Sequence, residues 1–121
     1  MNKKRILTVD DSTSVRRAIS GTLTGAGFEV IEAVDGLDGL NKLDPALDLI
    51  LCDVNMPNMN GLEMISHVRS RPECRFIPII MLTTESQNDI REKGKLAGAS
   101  AWITKPFGPD DLLAIVGRYL K

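Results

Sequence analysis

Leu47-Asp48-Leu49-Ile50-Leu51-Cys52-Asp53 is the stretch that decides the fold. From Leu47 to Cys52 it is apolar except for Asp48, and an acid closes it. A strand wetted on one face alternates apolar and polar residues. This run does not, so it suits a central parallel strand covered by helices on both faces. Downstream, Asn55-Met56-Pro57-Asn58-Met59-Asn60-Gly61 has the chemistry of a loop. A helix follows over about Leu62 to Ser70, with Ile65 and Val68 inward. Arg71 to Arg75 is a polar connection, and Ile77 to Leu82 is the next strand, closed by Thr83. Ser86 can cap a helix to about Leu96 that Gly98 ends. Ala101-Trp102-Ile103 is a fifth strand, and Pro109 opens a last helix with Asp110 and Asp111 at its positive end.

Upstream, Ile6 to Val9 is a strand stopped by Asp10-Asp11, and Ser12 caps a helix from about Thr13 to Thr24. Phe28 to Ala33 reads as a strand. Asp35-Gly36 turns into a helix carrying Leu37, Leu40 and Leu43, which Pro45 closes. Five strands alternating with five helices predict an α/β fold. The expected architecture is (βα)5 and flavodoxin-like: a three-layer sandwich around a five-stranded parallel sheet, with right-handed crossovers.

A chain of 121 residues fits one domain, residues 1–121, large enough to bury a core without disulfide or metal staples. An apolar fraction of 43% argues for a globular fold. The formal charge of −1, with no basic stripe, argues against nucleic-acid binding. No apolar run approaches the roughly 20 residues of a membrane span. The apolar stretch after Lys3-Lys4-Arg5 is too short for a secretion signal, so a cytoplasmic protein is expected, with Cys52 and Cys74 as free thiols.

Polar residues close four of the strands: Asp10 and Asp11, Asp53, Thr83, and Lys105. In a parallel sheet they project from one edge, where such folds place their sites. Three carboxylates held close repel, and one is driven towards protonation. A divalent cation removes that conflict, and hard oxygen ligands suit Mg²⁺. Asp53 beside a cation is then ready to attack phosphorus. The metal, the Lys105 ammonium and the Thr83 hydroxyl can offset the charge of a transferring phosphoryl group. The product, an acyl phosphate, suits a reversible signal. Taken singly, each piece has a plainer reading: a capped turn, two strand ends, a surface turn. The coincidence of all four carries the case.

The chain resembles the receiver-domain family of two-component signalling over essentially its whole length. The carrying motifs are Val9-Asp10-Asp11-Ser12, Leu51-Cys52-Asp53-Val54-Asn55-Met56-Pro57, Met59-Asn60-Gly61, Leu82-Thr83-Thr84 and Lys105-Pro106-Phe107. The lone-domain form, with Thr13-Ser14-Val15-Arg16 and Val34-Asp35-Gly36, is similar to chemotaxis regulators of the CheY type. The resemblance implies that Asp53 is the phosphoacceptor. It implies Mg²⁺ on the side chains of Asp11 and Asp53 and the backbone carbonyl of Asn55, with Asp10 acting largely through a metal-bound water. Thr83 would bind the phosphoryl group and move on activation. Lys105 would pair with the phosphate, and the Lys105–Pro106 bond would be cis. The donor would be a phosphohistidine of a sensor histidine kinase.

Asn55, Thr84 and Glu85 match positions that tune hydrolysis of the acyl phosphate. Thr84 stands where alanine is frequent in the family, and its larger side chain would restrict access. Trp102 stands at the aromatic switch position, which is usually Tyr or Phe; a strand tryptophan half-buried by its neighbours is the alternative. Output is expected through the face of the fourth helix, fifth strand and fifth helix, roughly Gln87 to Lys121. No attached output domain is expected, so that output would be contact with another protein, led by a flagellar motor switch. A phosphate sink or a phosphorelay shuttle shares every motif. The protein is expected to be a monomer, and not an enzyme, although it catalyses its own phosphorylation and dephosphorylation.

Three other classes fit less well. A haloacid-dehalogenase-like aspartyl phosphatase wants Asp-x-Asp-x-Thr, but Asp53-Val54-Asn55 lacks the second acid. A nucleotide or flavin module wants a glycine-rich loop after the first strand, and Asp10-Asp11 stands there instead. A receiver that signals without phosphorylation would have no use for all five site residues.

Overall fold

Strand and helix alternate through the computed structural model, which describes residues 3–56, 59–84 and 88–120. The order is β1 (Arg5–Val9), α1 (Thr13–Gly25), β2 (Glu29–Ala33), α2 (Gly36–Asn41), β3 (Leu49–Asp53), α3 (Gly61–Ser70), β4 (Ile79–Thr83), α4 (Asn88–Ala97), β5 (Ala101–Thr104) and α5 (Pro109–Tyr119). All strands run parallel in the order β2-β1-β3-β4-β5. This is the (βα)5, flavodoxin-like sandwich the sequence predicts.

Side-chain alternation splits the core into two layers. Leu7, Val9, Ile50, Cys52, Ile79 and Met81 pack with Met64, Ile65 and Val68 of α3 and with residues of α2 and α4. Ile6, Leu49, Leu51, Ile80 and Leu82 pack with Ile19 and Leu23 of α1 and Leu112 and Val116 of α5. Every residue of β3 is buried, which explains its unbroken apolar run.

The caps follow residue chemistry. The Ser12 hydroxyl accepts from Val15 N–H, Asp35 Oδ1 from Asp38 N–H at 2.8 Å, and Asn60 Oδ1 from Glu63 N–H at 2.9 Å. At α5 the Asp111 carboxylate accepts from Gly108 N–H at 3.1 Å. Gly98, at φ +111°, ends α4 in the left-handed region that only glycine adopts freely.

Several details differ from the sequence reading. Helix α2 stops at Asn41, before Leu43, because the Asp44 carboxylate takes the Ala46 N–H into a turn of its own. Leu37, expected inward, is half exposed while Gly39 takes the inner side. Strand β4 starts at Ile79, since Pro78 has no N–H for the ladder and Ile77 is held in a turn by Cys74. The connection read as polar buries Cys74. The Ser86 cap, Gln87, Pro57, Asn58 and Lys121 lie outside the described residues.

The chain runs outward from β1 to β2, then crosses back past β1 to β3. The strand order therefore reverses between β1 and β3, and ligand sites of doubly wound sheets sit at that point, beyond the carboxyl ends.

Candidate functional site

Asp10 follows β1 and Asp53 ends β3, so the reversal point carries two acids, both buried. Asp11, one residue on, is exposed. One oxygen from each of Asp10, Asp11 and Asp53 lies within 4.8 Å of the others. Lys105, just beyond β5, reaches across the sheet edge. Its Nζ is 3.3 Å from Asp10 Oδ2 and 3.4 Å from Asp53 Oδ1. Lys105 is itself tied down, since its N–H donates to Thr83 O at 2.7 Å. Thr83 is fully buried at the end of β4, in register with Thr104. Ser12 N–H donates to Asp10 Oδ1 at 2.9 Å, so the hydroxyl of the α1 cap and its amide serve the helix and the acid respectively.

Burial pushes the Asp53 carboxyl above the ordinary carboxylate range. Asp10 adds to that push, while Lys105 and the Asn55 backbone N–H oppose it. Three acids facing one ammonium leave an excess of negative charge in a partly dry site. The donor set is all oxygen, so the residues fit a hard divalent cation. Cys52, next to Asp53, does not compete as a nucleophile, because burial pushes its thiol far up and keeps it protonated.

Gly61 explains the loop after Asp53. A Cβ there would overlap the Asp53 carbonyl oxygen and come within 2.9 Å of Val54 Cα. The Gly61 N–H donates to Val54 O at 2.9 Å, closing the turn that carries Asn55. Asn55 and Thr84 are exposed at the rim, and Glu85 lies outside the described residues. The Lys105–Pro106 peptide is cis. Beside Lys105, a largely apolar groove of about 460 Å³ opens between α1 and α5, bounded by Val15, Ile19, Thr84, Phe107 and Leu112.

Trp102 is not in the acidic cluster. It packs, half-buried, with the α2–α3–α4 layer, and the Arg91 guanidinium lies 4.9 Å from its ring centroid. The sequence reading gave Arg16 no role, yet the structure buries it beneath the cluster, bonded to Asp10 O at 2.8 Å and Glu32 Oε1 at 3.1 Å. A charged residue on the same helical stripe as Ile19 and Leu23 was the available signal. Gly61 left none beyond its place in a motif.

The family model for the response regulator receiver domain matches residues 6–117. The chain is 42% identical over 111 residues to chemotaxis protein CheY1 of Helicobacter pylori, covering 89% of this chain and 90% of that protein. It is 38% identical over 119 residues to the phosphate regulon transcriptional regulatory protein PhoB of Escherichia coli, covering 98% of this chain but 52% of PhoB, so the chain spans about half of that protein. The crystal structure of Vibrio cholerae chemotaxis protein CheY4 at low pH superposes with a TM-score of 0.94 at 44% identity, covering 98% of this chain and 100% of that one. Among the described residues no helix is long and apolar enough to cross a membrane.

Proposed function

Because the chain belongs to the response regulator receiver domain family, we propose that residues 1–121 act as one receiver domain in which Asp53 accepts a phosphoryl group from a phosphohistidine of a sensor kinase. The observation that carries this is the single ammonium of Lys105 held between Asp10 and Asp53 within a three-carboxylate cluster. Asp53 Oδ attacks phosphorus as the phosphorus–nitrogen bond of the donor breaks, and the imidazole leaves with a proton. Lys105, already within reach of Asp53 Oδ1, meets a phosphoryl oxygen, and the Thr83 hydroxyl takes another.

Asp10, Asp11 and Asp53 would hold Mg²⁺ with the Asn55 backbone carbonyl, and that ion supplies charge neutralisation at the phosphoryl oxygens. The chain thus promotes its own modification and the later hydrolysis. Asn55, Thr84 and Glu85, at the rim of the site in sequence, set the hydrolysis rate. Trp102 acts with Thr83 and Pro106 as the switch read by a partner on the α4–β5–α5 face. The likeness to two chemotaxis proteins supports a flagellar motor switch as that partner, and the working form we propose is a monomer.

Acetyl phosphate with Mg²⁺, read by intact-protein mass spectrometry, tests the chemistry. Wild type should gain one phosphoryl group and Asp53→Asn none; modification of the variant at equal extent would overturn the assignment. Capture of partners by the beryllofluoride-treated protein tests the output. Recovery of a histidine phosphotransfer protein in place of a motor component would favour a relay or a phosphate sink. Changes at Asn55, Thr84 and Glu85 that leave dephosphorylation untouched would remove their proposed role.

A further inference from the structure

Arg16 lies on α1, one turn in from the cap, and its side chain is only 10% exposed. It does not reach a carboxylate of the cluster. Its Nη1 donates to the main-chain carbonyl of Asp10 at 2.8 Å, in a buried bond, and its Nε donates to Glu32 Oε1 at 3.1 Å. Glu32 stands opposite Thr8 in the β1–β2 register, on the α1 side of the sheet. One planar guanidinium therefore spans two anchors through separate donors of a rigid fork, a geometry that a lysine's single ammonium nitrogen does not reproduce.

The Asp10 carbonyl begins the peptide that joins Asp10 to Asp11. Four contacts fix this corner: Asp10 N–H on Ala33 O at 3.1 Å, Ser12 N–H on Asp10 Oδ1, Lys105 on Asp10 Oδ2, and Arg16 on the carbonyl. Of these, only Arg16 holds the main chain between the two acids. We infer that Arg16 is a positioning residue for divalent cation binding: by clamping the Asp10 carbonyl against Glu32, it aims the Asp10 and Asp11 carboxylates at one point. This rests on the metal site proposed above and adds to it a supporting residue behind the ligands.

The sign of the effect separates positioning from charge. As a positive charge beside the site, Arg16 opposes a cation, and its removal should tighten Mg²⁺ binding. As a clamp, its removal should loosen binding. The test is calorimetric titration of the full chain with Mg²⁺ alone, below the unfolding transition of each variant. We expect Arg16→Gln and Arg16→Lys each to weaken Mg²⁺ binding about tenfold, the scale of losing a partner behind a metal ligand. Without metal, hydrogen exchange of the Ser12 amide should quicken in both.

Affinity that is unchanged in both variants, or tighter in Arg16→Gln and unchanged in Arg16→Lys, would overturn the inference and leave Arg16 a stability residue. If Arg16→Gln does not fold, Arg16→Lys carries the comparison, since it keeps the charge and loses the two-anchor span. If the wild type itself takes up no Mg²⁺, the metal site falls, and this inference with it; variants that match a binding wild type remove the inference alone.

Discussion

Replacing Asp53 by Asn should stabilise the metal-free protein at neutral pH, although it removes the proposed acceptor. At an effective dielectric near 20, the attraction of Lys105 at 3.4 Å contributes about 5 kcal/mol to the Asp53 carboxylate. Repulsion from Asp10, with acid oxygens within 4.8 Å, takes back at least about 3.5 kcal/mol. Asp11 is exposed and screened, and adds less. The margin left is smaller than the several kcal/mol that burying a charge costs. The ionised form is therefore disfavoured, in agreement with a carboxyl pushed above its ordinary range chiefly by burial.

The linkage follows directly. A carboxyl raised on folding opposes folding at every pH above its folded value, and the penalty is relieved as pH falls through that value towards the ordinary carboxylate range. Urea unfolding in EDTA at pH 7 should show Asp53→Asn more stable than wild type by about 1–2 kcal/mol. The gap should close as the pH is lowered below the folded value. Saturating Mg²⁺ should reverse it, since a hundredfold excess over the dissociation constant adds about 2.7 kcal/mol to wild type while the variant lacks one carboxylate ligand. A variant less stable than wild type in EDTA at pH 7 would refute the electrostatic reasoning.

Other outcomes follow from packing. Gly61→Ala should lose about 1–3 kcal/mol in urea unfolding, because the new methyl overlaps the Asp53 carbonyl, and it should slow uptake of phosphate from acetyl phosphate. Leu51→Ala, fully buried in β3, should lose about 2–5 kcal/mol in the same assay. Cys52 and Cys74, both buried with thiols pushed up by burial, should resist a thiol reagent in native protein and react together in urea.

The unbroken apolar run before Asp53 made the parallel sheet legible, because only a strand covered on both sides tolerates it. The strand-end acids, Thr83 and Lys105 were legible for the same reason: parallel strands put their ends on one edge. Leu37 and the early stop of α2 were not, since Asp44, the residue directly after the periodic pattern, competes for the backbone. Arg16 was hidden because periodicity locates a face but does not say what a charged residue on that face touches. Gly61 was quoted within a motif, but the near-contact with Asp53 exists only once β3 and α3 are folded together.

Trp102 and Lys105 stand three positions apart around β5, and they meet different surroundings: the tryptophan packs with the α2–α3–α4 layer, while the lysine reaches across the strand ends to Asp10 and Asp53. On the function proposed above, the strand ends are the reaction chamber and the outer surfaces of α4, β5 and α5 are the reading surface. Substitutions that reshape the α4 exterior for a new listener then need not touch the chamber, so one chemistry can be wired to many outputs by drift away from it.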